Sequence, residues 1–219
     1  MTTPQPVLIE GRVTRKTSNA LRITFTDGPD SEIGSALQGG ADGRGAKTAV
    51  LFGFKNGGAG RHRLELSDGR ELIISSRDAK PSLITDGGGA AVAEIERGET
   101  SAGKDATGRT VLTFVPNPTE DRSPDLFRID VHDASGVALG ELAVIRTNAG
   151  WKAKSFVDVV NDVTMFAYWL DHAGAPLKIP IQGTRLVLVR EPTPAERDLL
   201  LAACVDIALG LRPYIAAMK

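Results

Sequence analysis

The run Pro192-Thr193-Pro194-Ala195-Glu196-Arg197-Asp198-Leu199-Leu200-Leu201-Ala202-Ala203-Cys204-Val205-Asp206-Ile207-Ala208-Leu209-Gly210 decides the fold. It opens on helix-start signals. Thr193 can cap the N-terminus, Pro194 suits the first helical position, and Glu196 follows three residues after the cap, where a capping box needs it. It closes on Gly210, a natural left-handed stop, and Pro213 forbids simple continuation. Between them Leu199, Leu200, Leu201, Val205, Ile207 and Leu209 point all around the axis, at about 100° per residue. A surface helix carries one apolar stripe, whereas a helix apolar on every side is enclosed by protein or lipid. A membrane span needs about 20 apolar residues; this core is shorter and contains Asp206. The expectation is a helix over 193–210 enclosed by β-sheet. Asp206 should then be held by a backbone N–H, a hydroxyl or a basic side chain, because a lone core carboxylate is too costly to stay charged.

Upstream of the helix the chain reads as strands. The 24 glycines and 12 prolines cut its 219 residues into short apolar runs, and aromatics are only 5%, so aliphatic side chains must do most of the packing. Strands are expected at 7–14, 20–26, 48–54, 61–66, 70–75, 80–85, 90–97, 109–115, 126–132, 137–146, 151–160, 164–170, 177–181 and 185–190. Ser67-Asp68-Gly69, Asp86-Gly87-Gly88-Gly89 and Asp133-Ala134-Ser135-Gly136 are hairpin signals. Asp27–Lys47 reads as a mobile Gly-rich loop with one helical turn at Ile33–Leu37. Gly98–Gly108 reads as a polar loop, and Pro116–Pro124 as a hinge between halves. The whole, 1–219, is expected to be a single domain, with residues 48–210 forming a mainly β, roughly twelve-stranded antiparallel barrel around the helix.

Composition excludes several functions. A net charge of −1 gives no reason to expect nucleic acid as a partner. The Met-Thr-Thr-Pro-Gln-Pro start has neither a charged nor an apolar leader segment, so no secretion signal is expected. Cys204 is the sole cysteine, which rules out an internal disulfide, fits the cytoplasm and reads as a small buried hydrophobe. Gly98-Glu99-Thr100-Ser101-Ala102-Gly103-Lys104 has phosphate-loop spacing, but Asp105 follows where Ser or Thr should hold magnesium, and a strand follows where a helix should. Gly40–Thr48 misses the spacing by one residue. His62, His132 and His172 lack metal-ligand spacing and read as surface residues. With no nucleophile elbow and no paired acid and base in the pattern, no cofactor, no metal and no catalytic residue is nominated.

Two basic pairs remain. Arg61 and Arg63 alternate on one strand face with His62 opposite, and Lys152 and Lys154 do the same beside Trp151. Basic side chains next to a tryptophan suit a phosphate headgroup at a membrane surface; otherwise such residues face solvent on a barrel exterior.

The order of these features resembles the tubby C-terminal-like group, which includes phospholipid scramblases and LURP-one-related proteins. The residues that carry the resemblance are Phe127–Leu142, with the turn Asp133–Gly136 and the following Gly140-Glu141, and the helix Pro194–Gly210 with its Asp206. A weaker echo runs over Gly89–Ile95. The resemblance spans about Thr48 to Gly210 and implies a twelve-stranded barrel threaded by its C-terminal helix. It lacks the group's cysteine-rich palmitoylation cluster, acidic calcium loop and trailing anchor, so scrambling is not expected. The resulting expectation is a non-enzymatic cytoplasmic barrel, peripheral at a membrane when bound. Its exterior would meet anionic phospholipid headgroups or another ligand through Arg61, Arg63, Trp151, Lys152 and Lys154, with no transmembrane anchor. The alternatives are a protein-interaction scaffold and an enzyme whose site is invisible in sequence.

Overall fold

A computed structural model describes residues 6–15, 21–38, 60–76, 81–96, 100–117, 125–146, 165–170 and 176–210. The strands there are β1 (Val7–Arg15), β2 (Leu21–Thr26), β3 (Glu32–Gln38), β4 (Gly60–Leu66), β5 (Glu71–Ser76), β6 (Ser82–Asp86), β7 (Ala91–Glu96), β8 (Ser101–Asp105), β9 (Thr110–Asn117), β10 (Asp125–Asp133), β11 (Ala138–Arg146), β12 (Met165–Leu170) and β13 (Pro176–Leu188). One helix follows, α1 (Pro194–Gly210). From β1 to β11 each strand pairs antiparallel with the next, and β13 lies between β11 and β1, so twelve strands close into a barrel. Closure depends on the length of β13. Its second half pairs with β1 through Gly183–Leu188, while its first half, Pro176–Ile181, pairs with β12.

Period-two alternation selects the interior. Ile23 and Phe25, Leu64, Leu72 and Ile74, Ile84, Ile95, Leu112 and Phe114, Val131, Leu142 and Val144, and Leu186 and Leu188 all point inward and are buried. They meet α1, whose residues Leu199 through Ala208 are buried without a break around the helix. The helix is therefore the core of the barrel, and no helix among the described residues is long and apolar enough to cross a membrane. The closing seam is tight. A Cβ on Gly183 would run into the carbonyl of Gly11 on β1, so only glycine lets these two backbones approach.

Four hairpins, β4–β5, β6–β7, β8–β9 and β10–β11, turn through glycines with positive φ at Gly69, Gly89, Gly108 and Gly136. In three of them the Asp before the turn accepts from the backbone beyond it, as Asp133 Oδ1 does from the N–H groups of Ser135 and Val137. An up-and-down sheet puts all these turns at the same end, which we term the rim; α1 begins there and runs toward the far end.

Two segments differ from expectation. Within the expected loop Asp27–Lys47, residues Glu32–Gln38 are strand β3, not a helical turn, and β1–β3 belong to the barrel, so it starts well before residue 48. Within the expected loop Gly98–Gly108, Ser101–Asp105 is strand β8. Both are small and polar in sequence but have two hydrogen-bonding neighbours, and sheet pairing overrides weak local propensity. Pro116 pairs with Ile129 in a continuous ladder, so β9 and β10 join the two halves in one sheet. The strands expected at 48–54 and 151–160 lie outside the described residues.

Candidate functional site

The outer face of β4 carries the first basic pair. Arg61 is exposed and His62 is buried, as alternation requires, while Arg63 is half-buried on the outside. Arg63 is engaged by acids: its Nη2 lies 2.6 Å from Glu71 Oε2 and its Nε 3.2 Å from Glu65 Oε1. Arg61 makes no ion pair among the described residues. Trp151, Lys152 and Lys154 lie outside the described residues.

The rim holds the start of α1 through ion pairs. Thr193 and Glu196 form the reciprocal capping box, with the Thr193 N–H donating to Glu196 Oε2 at 2.7 Å and the Glu196 N–H to Thr193 Oγ1 at 3.3 Å. Arg190 then grips Glu196 with both Nη atoms, at 2.9 and 2.8 Å, and reaches Asp133 of the β10–β11 turn at 3.3 Å. This contact is the main reason the Glu196 carboxyl titrates below its ordinary value. Across the rim Arg70, held by Asp68, donates to both oxygens of Asp198 at 2.5 and 3.1 Å. Beside them a pocket of about 220 Å³ is lined mainly by aliphatic side chains, including Ile84, Val92, Val111 and Leu199. Its two carboxylates are already engaged, Asp198 by Arg70 and Asp105 by its own turn.

Polar groups recur inside the far half of the barrel. Asp206 on α1 is fully buried, and Ser82 Oγ of β6 donates to its Oδ2 at 2.6 Å. His62 of β4 is 1% exposed, and neither imidazole nitrogen has a hydrogen-bond partner. Burial pushes its pKa from 6.5 down to about 4, while the neighbouring Asp206 charge pulls it back part of the way. The imidazole is therefore neutral near pH 7, although the sequence reading had it on the surface. Residue parity did carry the correction, because two outward arginines force His62 inward. Nothing local in the sequence pointed to Ser82, whose meeting with Asp206 spans 124 residues. Cys204 is also enclosed, and burial pushes its thiol up to about 12, so it is inert as a nucleophile in the closed barrel.

The phosphate-loop spacing is structurally empty. Lys104 lies within β8 and pairs with Glu96 across the sheet at 2.5 Å, and strand β9 follows where a phosphate loop would need the N-terminus of a helix. Among the described residues no group of three or more His, Cys, Asp or Glu side chains is placed to hold a metal. Comparison with protein-family models, with curated proteins and with solved structures finds no match.

Proposed function

We propose that this protein is a tubby-like binding module that works through the outside of its barrel, with an anionic headgroup surface as its ligand. The observation that carries the reading is the filled interior: Leu199–Ala208 occupy the space in which a small barrel would otherwise hold a ligand, which leaves the exterior. The charge available there is limited. Arg63 is largely neutralised by Glu65 and Glu71, so the reading leans on exposed Arg61 and, from the sequence, on Lys152, Lys154 and Trp151. With a net charge of −1 the attachment is weak, reversible and sensitive to salt.

Sedimentation with phosphatidylserine or phosphoinositide vesicles at low and high salt tests this directly. The expected result is recovery at low salt, loss at high salt, and less recovery for Arg61→Glu and for Lys152→Glu/Lys154→Glu. Equal recovery of all three proteins without a salt effect would overturn it. A second reading, a protein-interaction scaffold, is favoured by a separate observation: exposed Leu8 on β1 stands opposite exposed Val187 on β13, with exposed Val189 two residues on. Co-purification of a partner that is lost in Leu8→Glu would support that reading instead.

A further inference from the structure

We propose that His62, Asp206 and Ser82 form an acid-sensitive latch between the helix and the barrel wall, closed while the imidazole is neutral and opened when it takes up a proton. The three residues come from three elements, β4, α1 and β6, and all are buried. The inference is independent of the membrane reading.

Burial distinguishes His62 from an ordinary core residue. As a neutral ring it leaves one donor and one acceptor without partners, so the site is already unfavourable for a polar group. As a cation it would need water or a well-placed anion. From β3, Gln38 stands opposite it in register, and from β5, Ile74; neither titrates. From the helix comes Asp206, the one charged group among the described residues whose field reaches it. Arg61 and Arg63, its neighbours in sequence, point to the outside. Asp206 offsets only part of the loss of water, so burial keeps the pKa of the ring low. The proton is therefore taken up most readily by conformations in which the far half of α1 has moved away from β4–β6 and water has entered. A group that gains its charge in the open state shifts the balance toward that state, about tenfold per pH unit between its open and closed pKa values.

Cys204 lies two residues before Asp206, is buried and is the chain's sole thiol, so it reports the opening. The experiment measures its labelling by 4,4′-dithiodipyridine, which reacts with thiols in mild acid. Rates are divided by those of the urea-unfolded chain at the same pH. Wild type should accelerate on the order of 100-fold between pH 6.5 and pH 4, the span between the ordinary and buried pKa of the imidazole. His62→Gln should stay nearly flat. Asp206→Asn removes the one attractive charge, so its acceleration should continue to lower pH than that of wild type. A flat wild-type profile, or the same rise in His62→Gln, would overturn the proposal. If His62→Gln does not fold, the imidazole Cε1–H resonances of the wild-type protein decide. One histidine of the three should titrate near pH 4, and three titrations all near 6.5 would overturn it.

Discussion

The two ends of α1 are held to the barrel by opposite kinds of contact. At the rim, charges are abundant and mutually paired, and the arginines reach water, Arg190 at 42% and Arg70 at 49% exposure, while the acids they hold, Glu196 and Asp198, are buried. At the far end, three polar residues lie enclosed in the interior. Loss of the acid from such a pair is tolerated, because water takes over the half-exposed arginine that is left. An enclosed polar group has no such replacement, so each contact there matters more, whether it is made or missing. The rim sets where the helix begins, while the interior decides whether it stays. Burial, not the number of ionic contacts, is the better guide to which end fails first.

Truncation in the apolar interior should have the largest effect. Leu201→Ala removes a fully buried side chain from the middle of the helix and should cost about 2–5 kcal/mol in urea unfolding. A loss below about 1 kcal/mol would mean that the helix is not the core of the barrel.

Acid should separate the ends next. The folded protein binds the His62 proton more weakly than the unfolded chain does, so stability is whole above pH 6.5 and falls as pH drops toward about 4, by roughly 3 kcal/mol in all. The rim titrates lower. The Ser135 hydroxyl is the main cause holding the Asp133 carboxyl at about 2 instead of 3.8. Its contribution is therefore complete above the ordinary carboxylate value and is lost as pH falls through about 2. Urea midpoints from pH 7 to pH 3 should show the decline beginning near 6.5, and His62→Gln should remove that upper part. A decline confined to the carboxylate range would reverse the order of the two ends.

Asp206→Ala removes the buried hydrogen bond from the Ser82 hydroxyl and should cost about 1–3 kcal/mol in urea unfolding. Ser82→Ala/Asp206→Ala should cost less than the two single changes together, because one interaction is then counted once. Strict additivity of the urea data would separate the two residues energetically.

The smallest effects belong to the rim. Thr193→Ala should cost about 1 kcal/mol through the lost cap. Asp198→Asn keeps the side-chain shape but weakens the pair with half-exposed Arg70, for up to about 1 kcal/mol that shrinks in 1 M salt. If Asp198→Asn were to cost more than Leu201→Ala, the rim would hold the helix and the comparison would be reversed.

Much of this architecture is local and so legible in the chain itself. Thr193, Pro194 and Glu196 determine where the helix starts because their contacts lie within one turn. The all-round apolar pattern of Leu199–Ala208 requires a surrounding wall, and Asp-plus-Gly turns announce the hairpins. Burial of Asp206 follows from the same pattern. What tertiary structure alone decided depends on partners far apart in sequence. Strands β3 and β8 exist through their neighbours, since Gly34 and Gly103 have little strand preference of their own. Arg70 and Arg190 look like ordinary surface residues until the barrel brings Asp198 and Glu196 to them. The closing seam requires β13 to reach β1 across the whole chain, at a place where Gly183 lets the two backbones meet. His62, Ser82 and Asp206 converge for the same reason: local pattern determines which way a side chain points, whereas which side chains it meets is determined by how the sheet closes.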